Sequence, residues 1–225
     1  DDGSSDNTIE VVKKLFSTYE GSVICRILEN NHSGPGAARN RAIENVASTW
    51  IAFIDSDDIW KNNKIAEVVQ CIRDNPNVNF ICHDEYKLSL KKIKTRLEYS
   101  QKYDSSKPII NQLYWSNLFS TSAVTCKYSL FKERGFFNEK LMSIQDYDLW
   151  LRLSPIMRVF FINEILGTYI ERNGNITSTN RFRRFANEIS VITRHRKKVP
   201  FSLFIARIPR VILSHIYQFV KSFTC

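Results

Sequence analysis

The sequence predicts an α/β fold, with a mostly parallel β-sheet flanked by helices and a basic helical tail. Short apolar runs alternate with segments whose apolar residues recur at helical spacing, which is typical of a parallel sheet covered by helices. Residues 181–225 hold ten Lys and Arg against one acid, so the net charge of +9 resides there. We therefore expect a domain over residues 1–180, followed by an amphipathic basic helical segment.

The individual elements follow from local patterns along the chain. Asn7 with Glu10 three residues later fits a capping box at the start of a first helix. A strand over residues 23–28 and a helix over residues 36–46 come next. Further strands are expected over residues 50–54, 78–83, 122–127 and 158–163, helices over residues 63–73 and from about residue 145, and a mobile or antiparallel excursion over residues 87–107.

Composition narrows the class of protein. With 225 residues, 43% of them hydrophobic, the chain can bury one substantial core. Its five Cys are scattered without metal-type spacing, which fits reduced thiols in a cytosolic protein. The four His are equally dispersed, which argues against a zinc site. No run of about 18 uninterrupted apolar residues occurs, so a membrane-spanning helix is not expected.

The most informative motif is Asp-Ser-Asp-Asp at residues 55–58, directly behind the apolar run 50–54. Ligands of open α/β sheets bind outside the carboxyl ends of the strands. Three carboxylates there repel one another and suit a hard divalent cation, which prefers oxygen ligands. The alternative is a polar turn that ends the strand, since Asp and Ser are ordinary turn residues.

Three further motifs carry polar side chains. An acidic turn, Asp-Asp-Gly-Ser-Ser-Asp, occupies residues 1–6 and precedes a helix. A flexible turn and a small-residue helix follow at residues 31–41, where Arg39 could meet a phosphate. The helix at residues 144–153 carries Asp146 near its start, where an acid either suits the helix dipole or acts as a general base.

Taken in order, these four motifs resemble those of the family 2 glycosyltransferases, which have the Rossmann-like GT-A fold. The resemblance covers roughly residues 1–178. It implies a metal-dependent, inverting glycosyltransferase that moves a sugar from a nucleotide-diphosphate donor, with a UDP-sugar favoured, to a hydroxyl acceptor. It further implies a place in bacterial surface-polysaccharide biosynthesis, with a saccharide or a lipid-linked saccharide as acceptor.

The resemblance also assigns roles to residues. Asp146 would be the catalytic base that deprotonates the acceptor hydroxyl. Asp57 and Asp58 would hold the cofactor, Mn²⁺ or Mg²⁺, against the donor diphosphate. The residues expected to bind the nucleotide are Asp1, Asp2, Gly36, Arg39, Asp55, Asp57 and Arg172.

The chain departs from the family pattern at several positions. Gln145 stands where the family usually has Glu, and Arg172 where His is common. Relatives begin with a strand, a helix and a second strand before the acidic turn, whereas this chain opens at that turn. We therefore expect an N-terminally truncated domain.

The tail suggests a place in the cell. Its apolar residues from Phe201 onwards recur at helical spacing, with Pro209 expected to kink the helix. An amphipathic helix with a basic face suits the anionic inner leaflet, so we expect a cytoplasmic protein with peripheral membrane contact through this tail. The alternative is a terminal helix that packs on the domain.

Other functions explain fewer of these features. A nucleotidyltransferase also uses a nucleotide, a metal and acidic strand ends, but the Asp146 helix argues against it. An inactive truncated remnant of a glycosyltransferase is a second alternative. A nucleic-acid binder using the basic tail leaves the acidic motifs unexplained, so no nucleic-acid partner is expected.

Overall fold

The computed structural model describes residues 1–172 and 181–221. The last part of the resembling stretch, residues 173–178, lies outside them. The helices and strands, in chain order, are α1 (Thr8–Ser17), α2 (Pro35–Glu44), β1 (Trp50–Ala52), β2 (Ile59–Trp60), α3 (Lys64–Asp74), β3 (Phe80–Leu88), β4 (Lys94–Leu97), α4 (Tyr99–Lys102), α5 (Ile109–Trp115), β5 (Val124–Lys127), α6 (Tyr128–Arg134), α7 (Gln145–Leu153), β6 (Val159–Ile170), α8 (Arg181–His195) and α9 (Phe201–Lys221).

The sheet is mixed. Its strand order is β1-β5-β3-β6-β2, and β4 pairs with β3 outside this path. The pair β3–β6 is parallel, and the other pairs are antiparallel. The α/β class is confirmed, but the expectation of a mostly parallel sheet is wrong for the described residues.

The sheet is mixed because one antiparallel strand is inserted between two strands that run in the same direction. β5 lies between β1 and β3 and runs antiparallel to both, so β1 and β3 run in the same direction without touching. β6 is parallel to β3 as well. The alternation of helices and strands therefore predicted the strand directions of β1, β3 and β6 correctly, whereas local patterns carry no information about a distant strand that inserts between them.

Two predictions near the amino terminus are wrong. Residues 23–28 form no strand, and Val23 and Ile24 are exposed. The Asn7 side chain does not cap α1; the Thr8 backbone N–H and hydroxyl donate instead to Asp6 Oδ1, at 3.0 and 2.5 Å. An Asp one residue earlier makes the same kind of local hydrogen bond, and spacing alone could not distinguish the two.

The later elements agree with prediction to within a few residues, apart from two strands. β3 and β6 are longer than expected, because their parallel pairing continues past an irregularity at Asp84. The excursion at residues 87–107 is antiparallel, as one of the two alternatives had it, since β4 folds back on the end of β3.

A cluster of aromatic rings forms the main core around Trp150, which is fully buried on α7. Its ring meets Phe80 edge-on at 5.3 Å, and Phe137 and Phe119 at 6.1 and 6.2 Å. Such aromatic contacts add about 0.5–1.5 kcal/mol each beyond area burial. Trp150 thereby fixes α7 against the sheet, and with α7 the residues at its start.

The two C-terminal helices join the same core. Val191, Ile192 and Val211 are fully buried, and the Tyr114 hydroxyl donates to the Ile192 carbonyl at 2.6 Å. Arg181 donates to the Gln218 carbonyl at 3.0 Å, so that α8 and α9 lie antiparallel. Packing against the domain, which the sequence left as an alternative for the tail, is therefore observed.

Asp148 connects α7 to this helical pair. Its carboxylate, 1% exposed, accepts hydrogen bonds from Arg152 and Arg194, both at 3.0 Å, and from His195 at 3.2 Å. Burial alone would raise the pKa of Asp148, but the hydrogen bond from His195 and the charge of Arg152 lower it. Removing one partner of a buried ion pair leaves the others uncompensated.

We expect Asp148→Asn to reduce the free energy of unfolding by about 3 kcal/mol, measured by urea denaturation at neutral pH. Because the folded-state pKa is lowered, this contribution is present above the ordinary pKa of Asp and is lost as the pH falls through the lowered value. Glu133→Gln, which breaks an exposed pair with Arg134, is the control and should change little. Equal effects of the two substitutions would contradict this assignment.

Candidate active site

A cleft of about 1330 Å³ opens along one edge of the sheet. The loop after β1, the start of α7, the end of β6 and the C-terminal helices all contribute to its walls. Of the residues singled out in the sequence, it brings together Arg39, Asp55, Asp57, Asp58, Asp146 and Arg172.

The acidic loop at residues 55–58 is held by a chain of hydrogen bonds. The Asp55 backbone N–H donates to Ser122 Oγ at 3.0 Å, and that hydroxyl donates to Asp58 Oδ2 at 2.6 Å. The second oxygen of Asp58 accepts the Ile170 N–H at 3.0 Å. Asp58 therefore ties the loop to the turn before β5 and to the end of β6.

Asp58, expected as a metal ligand, lines the cleft but already has partners within the protein, and its contact with a metal stays a prediction. The residue is 9% exposed, and both carboxylate oxygens are already hydrogen-bonded within the protein. Burial raises the pKa of Asp58, despite the hydrogen bonds from Ser122 and Ile170. Its role in the structure is to shape the loop that presents Asp55 and Asp57.

Arg39, on α2, faces the loop. Its Nη2 donates to Asp55 Oδ1 at 2.5 Å, and its guanidinium lies 5.5 Å from the centre of the Phe137 ring. Arg39 Nη1 is buried and makes no hydrogen bond with any residue that the structure describes. Gly36, expected at the nucleotide, is instead buried against residues 137–139 and lies outside the cleft lining.

The acidic turn at the amino terminus lies beside the cleft and does not line it. Asp2 accepts the backbone N–H groups of Ser33 and Gly34 at 2.8 and 2.7 Å, which fixes the turn before α2. Asp1 accepts the N–H groups of Gly3 and Ser4, both at 2.9 Å. Both carboxylates thus have local structural partners, and their contact with a nucleotide stays a prediction.

Asp146 lies at the start of α7 and lines the same cleft as the acidic loop. It is half-buried, and its Oδ2 lies 3.4 Å from Asn117 Nδ2. Burial raises the pKa of Asp146, and the Tyr147 N–H and the charge of Arg39 oppose that rise only in part. A carboxylate with a raised pKa is a better proton acceptor than an ordinary Asp.

The backbone before α7 is strained. Ile144 has φ 55° and ψ 20°, a left-handed conformation that β-branched residues rarely adopt. Gln145 beside it is 6% exposed, and its Oε1 has no hydrogen-bond partner in the described residues. A neutral amide at this position avoids the larger cost of a buried, uncompensated carboxylate.

Arg172, just after β6, and Lys87, near the end of β3, both carry positive charge in the cleft lining. Arg172 is exposed, and its Nη2 lies 3.5 Å from the Asp57 carbonyl oxygen. Lys87 pairs with Glu171 at 3.2 Å on the same side of the cleft. The Asp57 carboxylate is half-buried and accepts no hydrogen bond from the residues that the structure describes.

Sequence reasoning missed a buried polar group beneath the cleft. Glu85 on β3 is fully buried, and its Oε2 accepts the Tyr99 hydroxyl at 3.3 Å. Burial raises the pKa of Glu85 to about 7. Burial also lowers the pKa of Lys64 to about 8, and this side chain donates to Thr125 at 3.2 Å. The run of polar residues within a strand, at 83–85, was the available signal.

Sequence reasoning also missed Arg207 and Arg210, which line the cleft from α9. From the sequence, such residues were expected on a basic face directed toward solvent or a membrane. Their spacing of three residues puts them on one side of the helix, but which side faces the protein depends on the docking of α9.

Comparison with solved structures defines the class of protein. Over 87% of this chain and 55% of the other, the fold matches Staphylococcus aureus TarS, residues 1–349 in complex with UDP-GlcNAc, with a TM-score of 0.68 at 17% identity. It also matches the mannosyltransferase PcManGT from Pyrobaculum calidifontis in complex with GDP-Man and Mn²⁺, with a TM-score of 0.64 at 14% identity over 96% of this chain and 60% of the other. The chain therefore has the GT-A fold of glycosyltransferases.

The sequence assigns the chain to one family of glycosyltransferases. Residues 1–134 match the sequence model of the Glycosyl transferase family 2, and the chain belongs to that family. An uncharacterized glycosyltransferase of Rickettsia typhi is 29% identical over 73% of this chain and 51% of its own length. The chain thus spans about half of that relative.

A relative with a named reaction is also similar. The UDP-Glc:alpha-D-GlcNAc-diphosphoundecaprenol beta-1,3-glucosyltransferase WfaP of Escherichia coli is 26% identical over 85% of this chain and 71% of its own length. The E. coli chondroitin synthase is 27% identical over 73% of this chain and 23% of its own. Family 2 relatives of this chain thus act in polysaccharide biosynthesis.

We expect Glu85→Gln to remove a pH dependence of stability. With a folded-state pKa of about 7 against an ordinary 4.5, the folded chain retains a proton that the unfolded chain releases between these values, so stability falls as the pH rises through that window. At pH 8 the variant should therefore be more stable, by up to about 3 kcal/mol. Urea denaturation at pH 5 and pH 8 measures this, with the exposed Glu164→Gln as control. An unchanged slope in Glu85→Gln would refute the assignment.

Proposed function

We propose that this chain is the catalytic part of a metal-dependent, inverting glycosyltransferase. It transfers a sugar from a nucleotide-diphosphate donor, for which we favour UDP, to a hydroxyl of a lipid-linked saccharide in bacterial surface-polysaccharide biosynthesis. The observation that supports this most is the pairing of two unlike acidic sites in one cleft. Asp55 and Asp57 on the loop after β1, beside Arg39, line the same cleft as Asp146 at the start of α7.

The donor side suits a nucleotide diphosphate. Arg39 lines the cleft with its guanidinium paired to Asp55, so a fixed cation lies on the donor side, where it can attract a phosphate oxygen. Arg172 lies across the loop and offers a second cation. Charge-assisted hydrogen bonds from two arginines would offset the negative charge of the leaving diphosphate.

A divalent cation fits this side of the cleft, although the described residues contain no group of three His, Cys, Asp or Glu side chains arranged as a complete metal site. Mg²⁺ and similar ions are commonly held by one or two carboxylates together with substrate phosphates. Asp57, with Asp55 beside it, would hold the ion, because the Asp57 carboxylate accepts no hydrogen bond from the described residues. When bound, Mn²⁺ or Mg²⁺ supplies Lewis-acid stabilisation of the leaving diphosphate.

Asp146 supplies the base. The acceptor hydroxyl attacks the anomeric carbon on the face opposite to the leaving diphosphate, which inverts the configuration, while Asp146 takes its proton. The new glycosidic bond forms as the bond to the diphosphate breaks. Because the pKa of Asp146 is raised, mainly by burial, the carboxylate accepts this proton more readily than an exposed Asp would.

The comparison with WfaP supports a lipid-linked acceptor, and α9 supports contact with a membrane. Within the described residues, one segment, Phe201–Val220, is long and apolar enough to cross a membrane by length and composition, whereas the sequence analysis expected none. Val211 and Arg207 on the same helix are buried against the domain. A helix docked along one side in this way cannot be surrounded by lipid, so we propose that it lies on the cytoplasmic membrane surface.

We expect Asp57→Ala to abolish the metal dependence of nucleotide binding, because it removes the loop carboxylate that accepts no hydrogen bond from the described residues. Calorimetric titration of UDP with and without Mn²⁺ measures this. The native chain should bind at least about tenfold more tightly with Mn²⁺, which is about 1.4 kcal/mol, and the variant equally with or without it. Ser56→Ala, an exposed neighbour, is the matched control. Absence of metal-dependent UDP binding in the folded native chain would favour the inactive remnant.

We expect Asp146→Asn to preserve UDP binding but to lower kcat by about 10²–10⁴-fold, the range for loss of a general base. In the native chain kcat should fall on acidification at a pH above the ordinary pKa of Asp, since protonated Asp146 cannot accept the proton. Transfer from a UDP-sugar to a lipid-linked saccharide provides the assay. Asp74→Asn, exposed on α3, should retain activity. An unchanged kcat in Asp146→Asn would require a different base.

A further inference from the structure

The cleft extends beyond the donor side to a second wall, which is basic. This wall is formed by the end of α5 and by α8 and α9. Its charged and aromatic residues are Trp115, Arg184, Glu188, Arg207 and Arg210. Three arginines face one carboxylate here, so the wall carries net positive charge although no donor contact has been assigned to it.

The protein holds Arg207 in a fixed position. Its side chain is 8% exposed, and Nη2 donates to Glu188 at 2.8 Å. Glu188 also pairs with His215 at 2.9 Å, so its charge is shared between two partners. Arg207 Nε is buried without a hydrogen-bond partner in the described part of the chain. A guanidinium held in a fixed position at the wall of a cleft presents positive charge to an anionic ligand.

Arg210, three residues later, is held in place by the stacking of its guanidinium on Trp115. Its guanidinium lies 4.5 Å from the centre of the Trp115 ring, and both side chains line the cleft. Stacking occupies the plane of the guanidinium and leaves its N–H groups directed outward from the edge. Arg210 is exposed, so these donors can reach a ligand in the cleft.

The same side of α9 then becomes apolar. Leu213 and Tyr217, three and seven residues after Arg210, line the cleft and are 65% and 67% exposed. Val220 continues this stripe and is 55% exposed. Residues at this spacing lie on one face of a helix. One helix face therefore carries cationic donors at one end and uncovered apolar surface at the other.

The basic wall also lies close to the proposed base. Arg207 lies close to Tyr147, which follows Asp146 on α7: burial raises the pKa of the Tyr147 hydroxyl, and the charge of Arg207 opposes that rise. The Tyr147 hydroxyl donates to the Tyr114 carbonyl at 3.1 Å, so this part of the wall is fixed to α5. A sugar attached to an anion at Arg207 would thus extend toward Asp146.

We propose that Arg207 and Arg210 bind the phosphate or diphosphate of a lipid-linked acceptor, and that its lipid chain lies along the stripe formed by Leu213, Tyr217 and Val220. This inference rests on the proposed function, which requires an acceptor hydroxyl near Asp146. Beyond that function, the inference names the part of the acceptor that the protein binds and the residues that bind it. An amphiphilic ligand matches both the charge at one end of the stripe and the apolar surface at the other.

Farnesyl diphosphate is a suitable probe, because it joins a diphosphate to an isoprenoid chain. Farnesol and inorganic pyrophosphate each supply one of the two parts. Calorimetry should show farnesyl diphosphate binding at least about tenfold more tightly than either one. Arg210→Gln should weaken farnesyl diphosphate and pyrophosphate about tenfold, and Leu213→Ser should weaken farnesyl diphosphate and farnesol while sparing pyrophosphate.

Two controls and one further variant make the outcome decisive. Lys197→Gln removes an exposed charge elsewhere in the tail and should change nothing. Arg207→Lys keeps the charge but loses the planar fork, and should weaken farnesyl diphosphate without unfolding the chain. Asp57→Ala should leave farnesyl diphosphate binding intact, so that failure of the donor site is distinguished from failure of this one.

Native affinity for farnesyl diphosphate in both Arg210→Gln and Arg207→Lys would overturn the proposal. Binding to phosphatidylglycerol vesicles gives the second test. If Arg210→Gln lowers vesicle binding while farnesyl diphosphate affinity is unchanged, the arginines recognise phospholipid headgroups and the acceptor assignment is wrong.

Discussion

The arrangement of the cleft depends on one buried carboxylate, Asp58. It accepts a hydroxyl hydrogen bond from Ser122 and a backbone hydrogen bond from Ile170, and so joins three chain segments that lie far apart in sequence. Burial of an acid is unfavourable unless its oxygens are satisfied, which both partners achieve. The loop that they fix presents Asp57 outward, without a hydrogen-bond donor among the described residues, and Asp55 toward Arg39. Asp57 is thus available to a ligand because the hydrogen bonds of Asp58 hold the loop in place.

Two carboxylates on α7 show a similar contrast between an available acid and a paired one. Asp146 and Asp148 lie two residues apart on α7, yet their surroundings change their pKa values in opposite directions. Burial raises the pKa of Asp146, whereas for Asp148 the hydrogen bond from His195 and the charge of Arg152 outweigh burial and lower it. One carboxylate is thereby poised to accept a proton, and the other stays ionised and holds the C-terminal helices. Trp150 fixes both by anchoring α7 in the aromatic core.

The C-terminal helices consequently form part of the cleft and also carry the proposed contact with the membrane. α9 buries Val211 and Arg207 against the domain and leaves Leu213 and Tyr217 uncovered. Leu213 and Tyr217 line the cleft together with Arg207 and Arg210, so cations and uncovered apolar side chains lie next to each other on this helix. This arrangement suits an anionic ligand with an apolar chain, and it would place the membrane beside the acceptor side of the cleft.

The sequence by itself determined the α/β class, the order of most helices and strands, and the presence of acids at the end of β1 and the start of α7. These features depend on local periodicity and on neighbouring residues, which a sequence displays directly. Only the tertiary structure decided that β5 inserts antiparallel and that Arg207 is buried at the cleft wall. It also decided that Asp58 and Asp148 are buried and hydrogen-bonded within the protein, whereas Asp57 and Asp146 are only half-buried at the cleft. The reason is physical: whether a carboxylate is available depends on the donors that surround it, and those donors come from distant parts of the chain that no local pattern connects.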